Sequence, residues 1–167
     1  MTRRASEGDA EERTTSTGLA GFAYQYLTAA VVVVEAYGRQ KAIDHSPPVP
    51  ALYLLGHAIE LTLKAYLRQH SVTVRQLRNI GHDLDKAYLQ AKELGLLTSC
   101  QPTIQHEAAL KALNGVYVVK QLEYICTGLA TWPRYDLVEE LAMDLFSAVG
   151  PLVGYSRLIK VAMAEAA

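Results

Sequence analysis

Between Pro50 and His70 the chain places Leu52, Leu55, Ile59, Leu63, Tyr66 and Leu67 three or four residues apart. A stretch of that length on that period is an amphipathic helix with a wide apolar stripe, and such a stripe must be covered by other elements. Pro50 falls in its opening turn, where a missing N–H costs nothing. Beside the stripe runs a polar row, His57, Glu60, Lys64 and Arg68, at steps of three, four and four. Glu60 and Lys64 have the favourable order for an ion pair, expected at the surface and contributing a few tenths of a kcal/mol.

The rest of the chain reads as further helices, and the first of them, apolar nearly all round over Ala30–Val34, is the expected central one. Leu19 to Gly38 carries Phe22, Tyr26, Ala29, Val33 and Tyr37 at helical spacing, and that period outweighs the local β preference of the valine run. Ser71 to Gly81 reads as a connector with a short helical turn. Asp83 is a good N-cap and Gly95 a good terminator for a third helix with Leu84, Ala87, Tyr88, Ala91 and Leu94 inward. Thr103 caps a fourth with Ile104, Ala108 and Leu113, which Asn114-Gly115 should interrupt. Residues 116–128 read as irregular or extended. A last helix begins at Asp136, with Glu139 completing a capping box, and bends at Gly150-Pro151. The expected fold is all-α, an up-and-down bundle of four to six helices over residues 18–167, behind a disordered polar tail at 1–17.

Composition narrows the functional classes. The first 17 residues hold three of the 16 basic and four of the 17 acidic residues, so the body balances at 13 of each. A neutral body exerts no global pull on nucleic acid or anionic lipid, and any such binding needs a local patch. Cys100 and Cys126 lack partners at zinc-ligand spacing and read as reduced, semi-buried thiols. The longest apolar run, Leu27–Val34, is too short for a bilayer. The expectation is a cytoplasmic protein with no cofactor, no metal and no membrane partner. Phosphate-binding glycine loops, zinc-protease motifs, nucleophile elbows and kinase signatures are absent from the sequence.

One ordered set of words remains. His57-Ala58-Ile59-Glu60-Leu61-Thr62-Leu63-Lys64-Ala65-Tyr66-Leu67 is followed by Gly81-His82-Asp83-Leu84, then Leu113-Asn114, Tyr117, Lys120, Glu123-Tyr124 and Thr127-Gly128. Over about residues 20–150 this order resembles bacterial HEPN-domain proteins, a superfamily of helical bundles. The resemblance implies a homodimer, and a protein partner such as an antitoxin or a nucleotidyltransferase, or RNA. Ribonucleases of that superfamily carry an Arg and a His with four to six residues between them near the last helix. No histidine follows Arg134 here. Arg39–His45 and Arg75–His82 fit the spacing elsewhere, but chance alone predicts about one such match, so two carry little weight for an acid–base assignment. The resemblance therefore implies a non-catalytic module in a toxin–antitoxin or defence setting.

The alternative is an enzyme, a ribonuclease or nucleotide-transfer protein with a rearranged site, and a purely structural scaffold is a third reading. For the enzyme, His82, Glu60, Lys64 and Tyr124 are the catalytic candidates. His57, Arg68, Arg75, Arg78, Asp83, Lys120 and Glu123 are candidates for binding nucleic acid or a partner. The plain readings are a core-edge His57, Asp83 as a helix cap, Tyr117 and Tyr124 as packing aromatics, and His70 and His106 at the surface. The discriminating expectation is that Glu60, Lys64 and His82 converge with Lys120, Glu123 and Tyr124 in one polar cleft.

Overall fold

The structure, a computed structural model, describes residues 11, 13–39, 48–124 and 132–156. Among them are six α-helices and no strand: α1 (Ser16–Tyr37), α2 (Val49–Gln69), α3 (Val74–Ile80), α4 (Leu84–Glu93), α5 (Ile104–Tyr117) and α6 (Tyr135–Leu152), with one 3₁₀ turn at Leu96–Thr98. The all-α bundle expected from the periodicity is the fold.

The central helix is α2 and not the expected α1, of whose most apolar window only 33% is buried. The α2 stripe Leu52, Leu55, Ile59, Leu63, Tyr66 and Leu67 is buried as its spacing requires, and it packs on α1, α6, α4 and α5. α1 lies along α2 but turns a different face inward from the one its large residues suggest. Ala20, Ala23, Leu27, Ala30, Val31 and Val34 are buried, while Phe22 and Tyr37 are exposed. Small side chains on the inner face let the two backbones approach, and the bulky residues are left outside. On α5, likewise, Ile104 and Ala108 are exposed, and Ala109, Leu110, Leu113 and Tyr117 face the core. α6 is a core helix, with Leu145, Phe146 and Val149 buried.

Local signals set several termini. Asp83 accepts from Lys86 N–H at 3.0 Å and Thr103 accepts from His106 N–H at 3.2 Å, both as N-caps. Gly95 takes the left-handed conformation (φ 92°, ψ 18°) after α4. The connector at 71–81 holds a true helix, α3, opened by a Thr73–Gln76 capping box. Asn114-Gly115 does not interrupt α5, because the Asn114 amide is used in tertiary bonds instead of competing for its own backbone. The chain then turns through Val118–Tyr124, with Lys120 at φ 59°, and 125–131, including Cys126, lie outside the described residues. The Asp136–Glu139 capping box does not form. α6 starts at Tyr135, Asp136 pairs with Arg134, and Gly150-Pro151 sits in the last turn instead of bending the middle.

Residues 1–10 and 12 of the expected tail lie outside the described residues. The described part is tied down. Thr15 caps α1, and Thr17 Oγ1 donates to Val153 O at 2.6 Å. Arg68 donates to the carbonyls of Glu11 (2.8 Å) and Thr14 (2.9 Å) and pairs with the Glu11 carboxylate at 2.6 Å. That carboxylate also accepts from Val74 N–H at 2.8 Å, at the start of α3. A guanidinium on α2 thus supplies Glu11 and Thr14 with partners that this polar segment lacks by itself.

Candidate functional site

Glu60 and Lys64 share a face of α2, as their i,i+4 spacing dictates, but that face is covered. The Glu60 side chain is 4% exposed and Lys64 14%, so the expected surface ion pair is a buried one. A buried carboxylate must find donors, and Glu60 has three. Its Oε1 accepts from Lys64 Nζ at 2.6 Å. Its Oε2 accepts from the Tyr117 hydroxyl at 2.7 Å and from His82 Nδ1 at 3.0 Å. Burial pushes the Glu60 carboxyl up, but the hydrogen bonds and charge of Lys64, then those from His82 and Tyr117, outweigh it and hold the group below its usual range.

Each contributor arrives on a different element. His82 sits in the turn between α3 and α4, and Lys64 Nζ fixes that turn by donating to Gly81 O at 2.7 Å. Tyr117 comes from the last turn of α5, and its ring occupies space that Gly56 leaves open. A Cβ on Gly56 would lie 2.7 Å from Tyr117 Cδ2. His57 lies one residue further along α2, with Nδ1 2.9 Å from the Tyr117 hydroxyl and 3.7 Å from Glu60 Oε2.

These bonds fix proton positions. An ionised carboxylate only accepts, so His82 Nδ1 carries a hydrogen. The Tyr117 hydroxyl spends its hydrogen on Glu60 and can only accept from His57, so His57 Nδ1 is protonated as well. Both rings are therefore Nδ1–H tautomers with Nε2 as the basic nitrogen. His82 is the accessible one, its side chain 53% exposed and its Nε2 without a hydrogen-bond partner among the described residues. His57 is held edge-on by Tyr26 (ring centroids 4.3 Å apart) and parallel to Tyr53 (6.2 Å). Burial lowers its pKa from the ordinary 6.5, against the pull of Glu60 and with help from His82 and Lys64.

The expected cleft is brought together in part. Glu60, Lys64 and His82 converge, with His57 alongside. Tyr124 does not join: it is 73% exposed and makes no hydrogen bond to the cluster. Lys120 is exposed in the turn after α5, and Glu123 rims an open groove of about 410 Å³ lined by Val49, Pro50, Tyr53 and Leu122. Tyr117, read from sequence as a packing aromatic, occupies the place assigned to Tyr124. The signal that could have found it is Gly56, a helix-interior glycine whose cost of about 0.5–1 kcal/mol marks a close approach. His106 is buried, with Nε2 3.2 Å from Glu140, where a surface position was expected; His70 is exposed as expected.

Of the six basic residues from Lys64 to Lys92, three are held in ion pairs with carboxylates of the same chain. Lys64 serves Glu60, Arg68 the N-terminal segment, and Lys92 pairs with Glu107 at 2.9 Å. Arg75 and Arg78 are exposed on α3, just before His82, and make no ion pair among the described residues. Asp83 and Asp85 are occupied by Asn114 Nδ2, at 3.2 and 3.1 Å. His45, the partner of Arg39 in one Arg–His spacing, lies outside the described residues. Arg39 itself pairs with Glu139 at 2.5 Å. Among the described residues no group of three or more His, Cys, Asp and Glu side chains is arranged to hold a metal ion. Neither a family model, nor a curated protein, nor a solved structure matches this chain.

Proposed function

We propose that the chain is an acid–base enzyme acting on a phosphodiester, with RNA as the substrate class. The observation that supports this reading is the 3.0 Å contact between Glu60 and His82: a buried carboxylate holds one nitrogen of a half-exposed imidazole. In that arrangement His82 Nε2 takes a proton from an attacking hydroxyl or returns one to a leaving oxygen, and Glu60 fixes the tautomer and faces the charge that develops. Arg75 and Arg78, exposed on the helix that delivers His82, give a phosphate its cations. The groove against Tyr53 offers an adjoining base a ring to stack on. The test is cleavage of single-stranded RNA by wild type, His82→Ala and Glu60→Gln, with melting curves as fold controls. Loss of about 10²-fold or more in both variants supports the proposal, while an inactive wild type, or equal rates in all three, overturns it.

A second reading has its own support. The Lys64 ammonium, the cation nearest the dyad, is committed to Glu60 and Gly81 O, which suits a closed structural network in a non-catalytic module that binds RNA or a partner protein. RNA retained on a filter without cleavage, unchanged in His82→Ala, favours it. Kinship with HEPN-domain proteins is also proposed, on the order of residues from His57 to Gly128 and an all-helical bundle. A cytoplasmic location is likewise proposed, on the buried free thiol of Cys100.

A further inference from the structure

Two imidazoles hang on one buried oxygen. His82 Nδ1 lies 3.0 Å from Glu60 Oε2, and His57 Nδ1 lies 3.7 Å from the same atom. The longer contact is bridged: His57 Nδ1 donates to the Tyr117 hydroxyl at 2.9 Å, and that hydroxyl donates to Oε2 at 2.7 Å. Each ring thus spends its Nδ1–H on the same carboxylate, one directly and one through a phenol. Nε2 lies across an imidazole from a partner at Nδ1, so both basic nitrogens are turned away from Glu60. Neither has a hydrogen-bond partner among the described residues. The buried polar atoms left without a partner there are Thr28 Oγ1, Arg39 Nη2 and His106 Nδ1, so His57 Nε2 is not shut inside the core. Cleavage of a phosphodiester needs two such nitrogens, because the attacking oxygen must lose a proton and the departing one must gain one.

The two rings are not equivalent. A doubly protonated His82 has the Glu60 anion at hydrogen-bond distance. His57 has a neutral phenol there, with Tyr26 against its edge and Tyr53 parallel to it. Burial favours its neutral form, and the positive neighbours His82 and Lys64 add to that against the pull of Glu60 and Glu123. On the reading of Glu60 and His82 as a cleavage site for RNA, we infer that His57 is its second catalytic residue, the base, and that His82 is the acid. The 2′-oxygen bonds to phosphorus as the bond from phosphorus to the 5′-oxygen breaks. The 2′-hydroxyl proton passes to His57 Nε2, and the Nε2 proton of His82 passes to the departing 5′-oxygen. The products are a 2′,3′-cyclic phosphate and a free 5′-hydroxyl, and the rings regain their starting protons through water. A strand without 2′-hydroxyls has no nucleophile for this step.

The test compares single-stranded RNA with the same strand carrying sulfur for the bridging 5′-oxygen at one linkage, because a thiolate departs without a proton. On the oxygen strand His57→Asn and His82→Ala should each lose about 10²-fold or more. On the sulfur strand His82→Ala should return to within about tenfold of wild type, while His57→Asn stays slow because the base is still needed. Asparagine keeps a donor for Tyr117, so a merely structural His57 is replaced without loss. In wild type itself the alkaline limb of the rate–pH profile should vanish on the sulfur strand and the acid limb remain, a readout that needs no variant to fold. His57→Asn as fast as wild type on both strands overturns the inference and leaves the Glu60–His82 reading standing. Equal rescue of both variants, rescue of His57→Asn alone, no rescue of His82→Ala, or a persisting alkaline limb does the same. Only a wild type that cuts neither strand overturns both.

Discussion

The Tyr117 hydroxyl donates to Glu60 Oε2 at 2.7 Å, and through that bond the end of α5 is joined to the middle of α2. The pair decides more than packing. By using its hydrogen on the carboxylate, Tyr117 can only accept from His57, so one phenol sets the proton of a ring that Glu60 itself does not bond. Burial, then the Glu60 charge and hydrogen bond, push the Tyr117 pKa far above its ordinary value, so it acts as a fixed donor and not as a titrating group.

Tyr117→Phe keeps the ring that fills the space over Gly56 and removes only the hydroxyl. Glu60 then loses one of its donors and the His57 Nδ1–H loses its acceptor. The expected cost is about 1–3 kcal/mol in denaturant unfolding, because polar groups are left buried without partners. His57 should also change tautomer, which imidazole nitrogen shifts measure directly, while His82, bonded to Glu60 independently, keeps its own.

Gly56→Ala ordinarily stabilises a helix interior by about 0.5–1 kcal/mol. Here the added methyl meets Tyr117 Cδ2 at 2.7 Å and Cε2 at 2.8 Å, atoms of a rigid ring rooted in a buried residue. Overpacking should reverse the sign and destabilise by roughly 1–3 kcal/mol. Chemical denaturation checks the sign. A gain in stability would mean that the ring has room to move and that Gly56 is not what seats it.

Acid should destabilise the protein in two steps. His57 has its folded pKa below 6.5, so its contribution is complete above 6.5 and is lost as pH falls from there to the folded value, where only the unfolded chain binds the proton. Glu60 has its folded pKa below 4.5, so its contribution is complete above 4.5 and lost as pH falls through the folded value. Melting temperature followed from about pH 8 to about pH 3 should therefore decline twice. His57→Asn, which keeps a donor for Tyr117, should flatten the first decline. Glu60→Gln should lower the whole curve and flatten the second.

Much of this architecture was legible in the sequence. The α2 stripe, the Asp83 and Thr103 caps and the Gly95 terminator each rest on local chemistry that tertiary context reinforces. The meeting of Glu60, Lys64 and His82 was expected from the ordered words that carry them, whereas the burial of the Glu60–Lys64 pair was not. Other features depend on distant partners. A helix as apolar all round as α1 offers several faces with the right period, and only the close approach of α2 selects the alanine-rich one. The burial of Glu60 requires donors from His82 and Tyr117, which local spacing does not reveal. The Asp136–Glu139 box failed because Arg134 supplied a competing partner for Asp136.

The Asn114 amide joins α5 to the start of α4. Its Oδ1 accepts from Leu84 N–H at 2.8 Å and its Nδ2 donates to Asp83 and Asp85. Asn114→Leu preserves volume and removes all three bonds. The buried Leu84 N–H is left without an acceptor, and stability should fall by about 1–3 kcal/mol. Hydrogen exchange should quicken at Leu84 but not at Lys86, whose amide keeps its own cap on Asp83. Asn114→Asp separates the two halves of the amide's role. It retains an acceptor for Leu84 but sets a third carboxylate against Asp83 and Asp85. That variant should be destabilised at neutral pH and recover as the pH is lowered and one of the three protonates. If both variants melt like wild type at every pH, the amide does not hold α4 in place, and the turn that carries His82 is fixed by Lys64 alone.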